Sequence, residues 1–326
     1  MDQNLSQFQD AIATYIHTQT FSRQPQQLYA PIRYIMNLKG KRIRPLLTLL
    51  AYYQFDDDYT QALPAAFAVE LFHNFSLVHD DIMDQAPLRR GQPSVHQQFG
   101  LNTAILSGDA MLIYVYEYLT QAAPTHMLPT LLHTFNQVAI GVCEGQQYDM
   151  QFESNDTVHI EEYLHMIELK TAVLIGGALK IGALCAQAED TSAHILYEFG
   201  RNLGIAFQLQ DDWLDTFGNP KKTGKQQAGD IIHNKKTWMY LKALELATPS
   251  QRKKLQELYR TRPDDPTQKI QTVRAIFEAL DIPKQALQMQ KKFADQAFAQ
   301  LEALPSPPHK KCLLFDLAQW LMQRDK

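Results

Sequence analysis

The chain has 326 residues, 45% hydrophobic and 20% charged, which is enough apolar side chain for a large buried core. Its 31 Lys and Arg are outnumbered by 35 Asp and Glu, for a formal net charge of −4, and this lack of basic excess excludes nucleic acid as a partner. Cys143, Cys185 and Cys312 lie far apart with no CxxC pair, which predicts reduced thiols and no zinc site.

The first twenty residues lack both the positive flank and the sustained apolar core of a signal peptide. Leu5, Phe8, Ile12 and Ile16 step by three and four, the mark of an amphipathic helix. Next comes LKGKRIRP, where Gly40 permits a turn and Lys41, Arg42 and Arg44 precede an apolar run. Pro45 suits the first turn of a helix, so this basic cluster sits at a positive helix end, where an anion is favoured. The acidic run Asp56 to Asp58 falls in a polar break and reads as a solvated loop.

Pro64 opens a central helix on which Phe67, Leu71, Phe75, Val78 and Ile82 descend one face. Asp80 and Asp84 share another face about one turn apart, with His73 two turns back on the same stripe. Like charges at i and i+4 repel, so the spacing needs a reason. A Mg2+ ion supplies one, because it sits between one or two carboxylates and a substrate's phosphates. Pro87 ends the helix soon after Asp84. The segment after it reads as irregular and holds Arg89 and Arg90, whose planar donor forks suit phosphate oxygens.

Further on, Gly108 predicts close helix packing, and Gln147 and Asp149 read either as cleft lining or as surface. Lys170 and Thr171 stand at the start of an apolar helix. The stretch Val173 to Ala188 contains Lys180 and is too short to span a bilayer, so no stable membrane insertion is expected and the protein is placed in the cytoplasm. A second acidic helix carries Gln208 one turn before Asp211, Asp212 and Asp215, repeating the first spacing. Two such clusters can face each other across a cavity and share a polyphosphate. The Lys- and Gly-rich loop that follows offers Lys225 and Lys235 as countercharges and can close over a ligand. No strand alternation, Ser/His/Asp or Cys/His arrangement or Walker loop is present. The periodicity reads as all-α, with polar connectors to the C-terminus.

Taken together, GKRIRP, HDDIMDQAPLRRGQPSVH, the Lys170–Thr171 pair, FQLQDDWLD and the loop ending in NKKTW resemble the trans-isoprenyl diphosphate synthases, in the expected order from about residue 38 to 240. The resemblance implies one all-α domain over residues 1–326, many helices around a deep cavity, working as a homodimer. It implies that Asp80, Asp84 and Asp211 bind Mg2+, three ions per active site, with Asp81, Asp212 and Asp215 in support. It further implies that Gly40, Lys41, Arg44, His73 and Arg90 bind isopentenyl diphosphate, and that Arg89, Lys170, Lys225 and Lys235 bind allylic diphosphates of C5 to C15. Thr171 and Gln208 match polar groups near a developing carbocation. One glycine stands in LKGKR where two are common, and Gly229 is displaced by one place, which bears on Lys225.

Phe75 lies five residues before Asp80, about 7.5 Å by helical rise, and Ser76 four before. In such enzymes this pairing resembles a C20 geranylgeranyl diphosphate synthase, with Phe75 and the deeper Phe72 as the floor of the chain-length pocket. A C15 farnesyl diphosphate synthase is the alternative within the reaction class. A non-catalytic regulatory subunit of a heteromeric prenyltransferase is the alternative outside it, disfavoured because aspartates and basic residues are all retained.

Overall fold

The computed structural model describes residues 3–155, 157–218 and 228–323. Among these, the structure is helical apart from one two-stranded hairpin. The chain forms two compact units. One takes in residues up to Gln137, with Gly177–Tyr197 and Leu304–Leu314; the other takes in Val138–Gly176, Glu198–Ala303 and the chain from Phe315 onward. No described helix is long and apolar enough to cross a membrane.

The first unit is built around the central helix α4 (Leu63–Met83), which starts beside Pro64 as predicted and stops with Asp84 as its C-cap. The other α-helices that lie wholly in this unit are α1 (Gln3–Thr18), α2 (Gln26–Asn37), α3 (Ile43–Tyr53), α5 (Val95–Phe99) and α6 (Leu101–Leu119) among the described residues. Leu5, Phe8, Ile12 and Ile16 are buried, as their spacing requires, and the Phe8 ring lies against Tyr53 and Tyr59. Each such fully buried side chain contributes roughly 1.5–3 kcal/mol. The predicted close approach at Gly108 is real: a Cβ there would stand 2.3 Å from His79 Nε2.

Two local expectations for this unit need correction. The irregular segment after Pro87 contains an antiparallel hairpin, β1 (Leu88–Arg89) with β2 (Gln92–Pro93). Its two connecting residues, Arg90 and Gly91, have φ of 54° and 76°, the mirror-image turn that matches strand twist. Gly40, expected to supply a turn, is not in the left-handed region; Arg42 is, at φ 49°. Gly40 is small for another reason, since a Cβ there would lie 2.8 Å from the Arg90 guanidinium.

The chain passes to the second unit along α7 (Leu128–Ser154). There it forms α8 (Ile160–Ile167), and α9 (Val173–Cys185) and α10 (Asp190–Phe217) also contribute to it. After the short α11 (Gly229–Ile232) come α12 (Trp238–Leu246), α13 (Pro249–Leu258), α14 (Thr267–Ala279) and α15 (Ile282–Ala303), and α16 (Pro308–Met322) ends here. Phe152, Tyr163, Ile167, Leu209, Ile231, Trp238 and Phe277 are central to its core.

Lys170 and Thr171 do not open an α-helix. They lie in a π-helical turn, Glu168–Ala172, between α8 and α9. Two glycines make room for it. A Cβ on Gly145 of α7 would sit 2.2 Å from Lys170 N, and one on Gly204 of α10 would sit 2.6 Å from Ala172 Cα. Such turns often mark functional positions, because they re-aim one or two side chains within an otherwise regular helix.

Candidate active site

In the first unit, the end of α4 and the hairpin form one charged assembly. Asp80 is half-buried, Asp84 is exposed, and Asp81 is fully buried. Arg89 grips Asp81 with its fork: Nε donates 3.0 Å to Oδ1 and 3.1 Å to Oδ2, and a terminal nitrogen also donates to Oδ1. Burial works against the Arg89 charge, but Asp81 in contact and Asp80 and Asp84 nearby outweigh it and hold the guanidinium above its usual value.

Beyond this pair lies a cluster of cations. His73 on α4 faces Arg44 of α3, whose terminal nitrogen is 3.3 Å from His73 Nε2. Burial, then Arg44, Arg90, Arg89 and Arg42, hold His73 well below the usual imidazole range, so its ring is neutral and accepts from Arg44. Burial also pushes Arg44 down to about 10, Glu70 pulling it up and Arg90 pushing it further down. Arg90, itself exposed, donates 3.3 Å to Leu38 O and lies against Gly40, and Lys41 is exposed beside them. Arg42, which sequence reasoning treated as one of several cations, is a structural clamp: it donates to Glu70 and Met36 O, and 3.1 Å to Leu38 O. The first unit thus gathers Gly40, Arg44, His73 and Arg90 in one place, as an anion site requires.

Phe72 and Phe75 of α4 belong to a continuous aromatic series. Phe75 bridges His79 (ring centroids 4.7 Å apart) and Phe72 (5.6 Å), Phe72 meets Phe135 edge-on at 5.2 Å, and Phe135 meets Tyr116 at 5.3 Å. Phe72 is 1% exposed, so it is packed too tightly to yield alone. The Ser76 hydroxyl is turned back onto its own helix, donating 2.9 Å to His73 O.

In the second unit, a cavity of about 160 Å³ is lined by Asp149, Tyr163, Lys170, Thr171, Gln208, Asp212, Asp230 and Lys235, among others. Asp149 is the organising residue. Its Oδ2 receives Lys170 Nζ at 2.6 Å and Lys235 Nζ at 3.3 Å, so two lysines from distant segments converge on one oxygen. Burial pushes Asp149 up, but the two lysines outweigh it and hold the carboxyl below its usual range. Of the two candidates on α7, then, Asp149 lines the cavity and Gln147 is exposed.

On the facing side a relay runs from Thr171 to Tyr163. Thr171 Oγ1 donates 3.2 Å to Gln208 Oε1, Gln208 Nε2 donates 2.9 Å to Asp212 Oδ1, and the Tyr163 hydroxyl donates to Asp212 Oδ2. Burial lifts Asp212 to about 7; the Tyr163 and Gln208 hydrogen bonds oppose this, and the Asp211 and Asp215 charges add to it. Asp230, which sequence reasoning did not single out, is raised well above the usual range by burial and by Asp212, Asp215 and Asp211. Asp215 anchors the returning chain: the amides of Gly229 and Asp230 donate 3.2 Å to Oδ1 and 2.9 Å to Oδ2. Tyr163 also went unread, because a lone Tyr on an amphipathic helix carries no local signal of its partner 49 residues on. Lys225 lies outside the described residues.

The donor set fits a hard divalent cation. Asp211 and Asp215 add to the burial that lifts Asp212 and Asp230, a gathering of like charge that a bound cation would relieve. Among the described residues no three His, Cys, Asp or Glu side chains close on a common point. Mg2+ keeps several waters and takes the rest of its ligands from one or two carboxylates and substrate phosphates.

Comparison with known proteins agrees with this geometry. The polyprenyl synthetase family pattern matches residues 25–277. A geranylgeranyl pyrophosphate synthase of Geoglobus acetivorans is 37% identical over 309 residues, 93% of this chain and 92% of that protein. The crystal structure of a geranylgeranyl pyrophosphate synthase superposes with a TM-score of 0.94 at 40% identity, covering 100% of both chains. That of a geranylgeranyl pyrophosphate synthase from Corynebacterium glutamicum, complexed with isoprenyl diphosphate and magnesium, gives 0.86 at 25% identity over 99% of both.

Proposed function

The chain belongs to the polyprenyl synthetase family, and from that premise we propose that it condenses isopentenyl diphosphate head to tail with allylic diphosphates of C5 to C15, stopping at C20 geranylgeranyl diphosphate. The observation that carries this reading is the pair Lys170 and Lys235, held on Asp149 in a cavity that Asp212 of the second aspartate motif also lines. Such a pair supplies two cationic donors suited to a diphosphate.

Lys170 and Lys235, with Arg89 and Lys225, bind the allylic diphosphate. Arg44, His73, Lys41 and Arg90 bind isopentenyl diphosphate, with Gly40 giving Arg90 its place. Mg2+, three ions per active site in this reading, is held by Asp80, Asp84 and Asp211; Asp212 and Asp215 support them, and Asp81 acts by orienting Arg89. When bound, the ions neutralise charge on the departing diphosphate. The lysines hold that group as the allylic C–O bond breaks and its negative charge grows. Thr171 and Gln208 present oxygen dipoles toward the carbocation. The isopentenyl double bond then forms the new C–C bond, and the proton lost in restoring a double bond passes to the released diphosphate, so no side-chain base is needed.

Residues 1–326 act as one catalytic domain, and the protein works in the cytoplasm as a homodimer. Leu101, Ile105, Leu106, Ile113 and Tyr116 leave an exposed apolar face on α6 for a second copy.

The test is to incubate the protein with Mg2+, labelled isopentenyl diphosphate and each of the C5, C10 and C15 allylic diphosphates, then resolve the products by length. C20 from all three is expected. Products stopping at C15 would overturn the length assignment, and no product would overturn the enzyme reading. Phe75→Ala is expected to lengthen the product by one or more C5 units; unchanged length would remove Phe75 from the floor.

A further inference from the structure

The segment from Ala228 to Thr237 carries three consecutive polar side chains with separate destinations. Lys236 Nζ donates 2.7 Å to Phe152 O and also to Asn155 O, capping the end of α7, where a cation is favoured. Lys235 reaches Asp149 at 3.3 Å and Glu153 at 3.4 Å. Asn234, in the left-handed region at φ 61°, is among the residues lining the cavity, and its side chain accepts a hydrogen bond from Lys269 of α14. The left-handed region is one that Asn tolerates better than most residues.

Lys269 is an unusual lysine, only 3% exposed. Its ammonium also donates 2.9 Å to Thr261 O, has Ile232 O at 3.5 Å, and lies 5.6 Å from the Tyr259 ring centroid. Burial, with Arg262 nearby, pushes it down to about 8. Lysine is almost never this buried unless its charge is engaged, because an unsatisfied buried ammonium is costly. Here three N–H groups find three acceptors, two of them in the one segment that carries Lys235. The same segment is tied at its start by the Gly229 and Asp230 amides on Asp215.

We infer that Lys269 is a positioning residue: by fixing Asn234 it sets the turn from which Lys235 meets Asp149, and so holds one of the two lysines that receive the allylic diphosphate. It acts through Lys235 and touches no substrate itself. The inference rests on the proposed role of Lys235.

The test measures KM for an allylic diphosphate and for isopentenyl diphosphate in Lys269→Met, Asn234→Gly and Lys235→Ala, and in the doubles that combine Lys235→Ala with each of the others. Asn234→Gly keeps the left-handed backbone and removes the acceptor with the rest of the side-chain amide, so it decides the matter if Lys269→Met does not fold. Each single variant is expected to raise the allylic KM about tenfold, with the isopentenyl KM within about twofold of the parent. In the Lys235→Ala background, the further changes are expected to add nothing. A normal allylic KM in Asn234→Gly, or a full additional loss in the doubles, would overturn the inference and leave the role of Lys235 standing. A normal allylic KM in Lys235→Ala would overturn both.

Discussion

The two aspartate motifs carry the same spacing on two helices, yet their buried middle residues are supported in opposite ways. Asp81, on α4, is paired with a guanidinium that reaches it from the hairpin eight residues on. Asp212, on α10, receives two neutral donors among the described residues, the Tyr163 hydroxyl and the Gln208 amide, and has like charges on either side of it in the chain. The buried aspartate of the first motif is thus held by a cation, and that of the second, among the described residues, by neutral hydrogen-bond donors. Identical sequence patterns therefore do not imply identical electrostatics, since the compensating group is chosen by whatever packs against the helix.

The severest way to break this comparison is to remove one outer carboxylate from each motif. Asp80→Asn and Asp211→Asn are each expected to lower kcat by about 10²–10³-fold, the usual loss for one group that stabilises transition-state charge. If one were tolerated, the motifs would differ in purpose and not only in support. Next in size is the removal of the partners. Arg89→Met strands the Asp81 carboxylate in a fully buried position and is expected to destabilise the fold by about 3 kcal/mol. Tyr163→Phe removes a neutral hydrogen bond and should cost about 1 kcal/mol. Chemical denaturation of the two variants checks this, and equal losses would erase the distinction.

The smallest effect extends the comparison to an acid with no compensation. Burial alone pushes the Cys185 thiol up from 9.0 to about 12. At pH 8 a thiol reagent should therefore modify the exposed Cys143 and Cys312 and leave Cys185 until the protein unfolds. Between pH 9 and 12 the unfolded chain releases this proton while the folded chain keeps it, so Cys185 makes stability fall as pH rises through that window. Modification of all three thiols at equal rates in the folded protein would contradict it.

Much of this was legible in the sequence, for physical reasons. The central helix was readable because Pro64 and the apolar steps from Phe67 to Ile82 are local signals, and the aspartates because their repulsion needs a cation. The basic residues at the start of α3 and in the hairpin were readable as two cationic clusters without knowing that Arg44 and Arg90 come near each other. The π turn, the seat of Tyr163 and the task of Lys269 were not readable. Each depends on a group far away in sequence: Gly145 and Gly204 for the turn, Asp212 for Tyr163, Asn234 for Lys269. Asp149 fell between these cases, visible as a polar residue on α7 and understood only once two lysines met on it.

The π turn at Glu168–Ala172 has a consequence for how this stretch changes over time. A π turn holds about one residue more than an α turn, so it is equivalent to a one-residue insertion in a helix that would otherwise run from Ile160 to Cys185. Deleting Leu169 would restore a continuous helix, and everything upstream would rotate by about 100° relative to everything downstream. The apolar stripes of α8 and α9 are thus written in two phases, and a gap placed at this point in an alignment of kindred chains would be a structural event rather than noise. Chains carrying bulkier residues in place of Gly145 and Gly204 would have no room for the extra residue and should show one phase throughout.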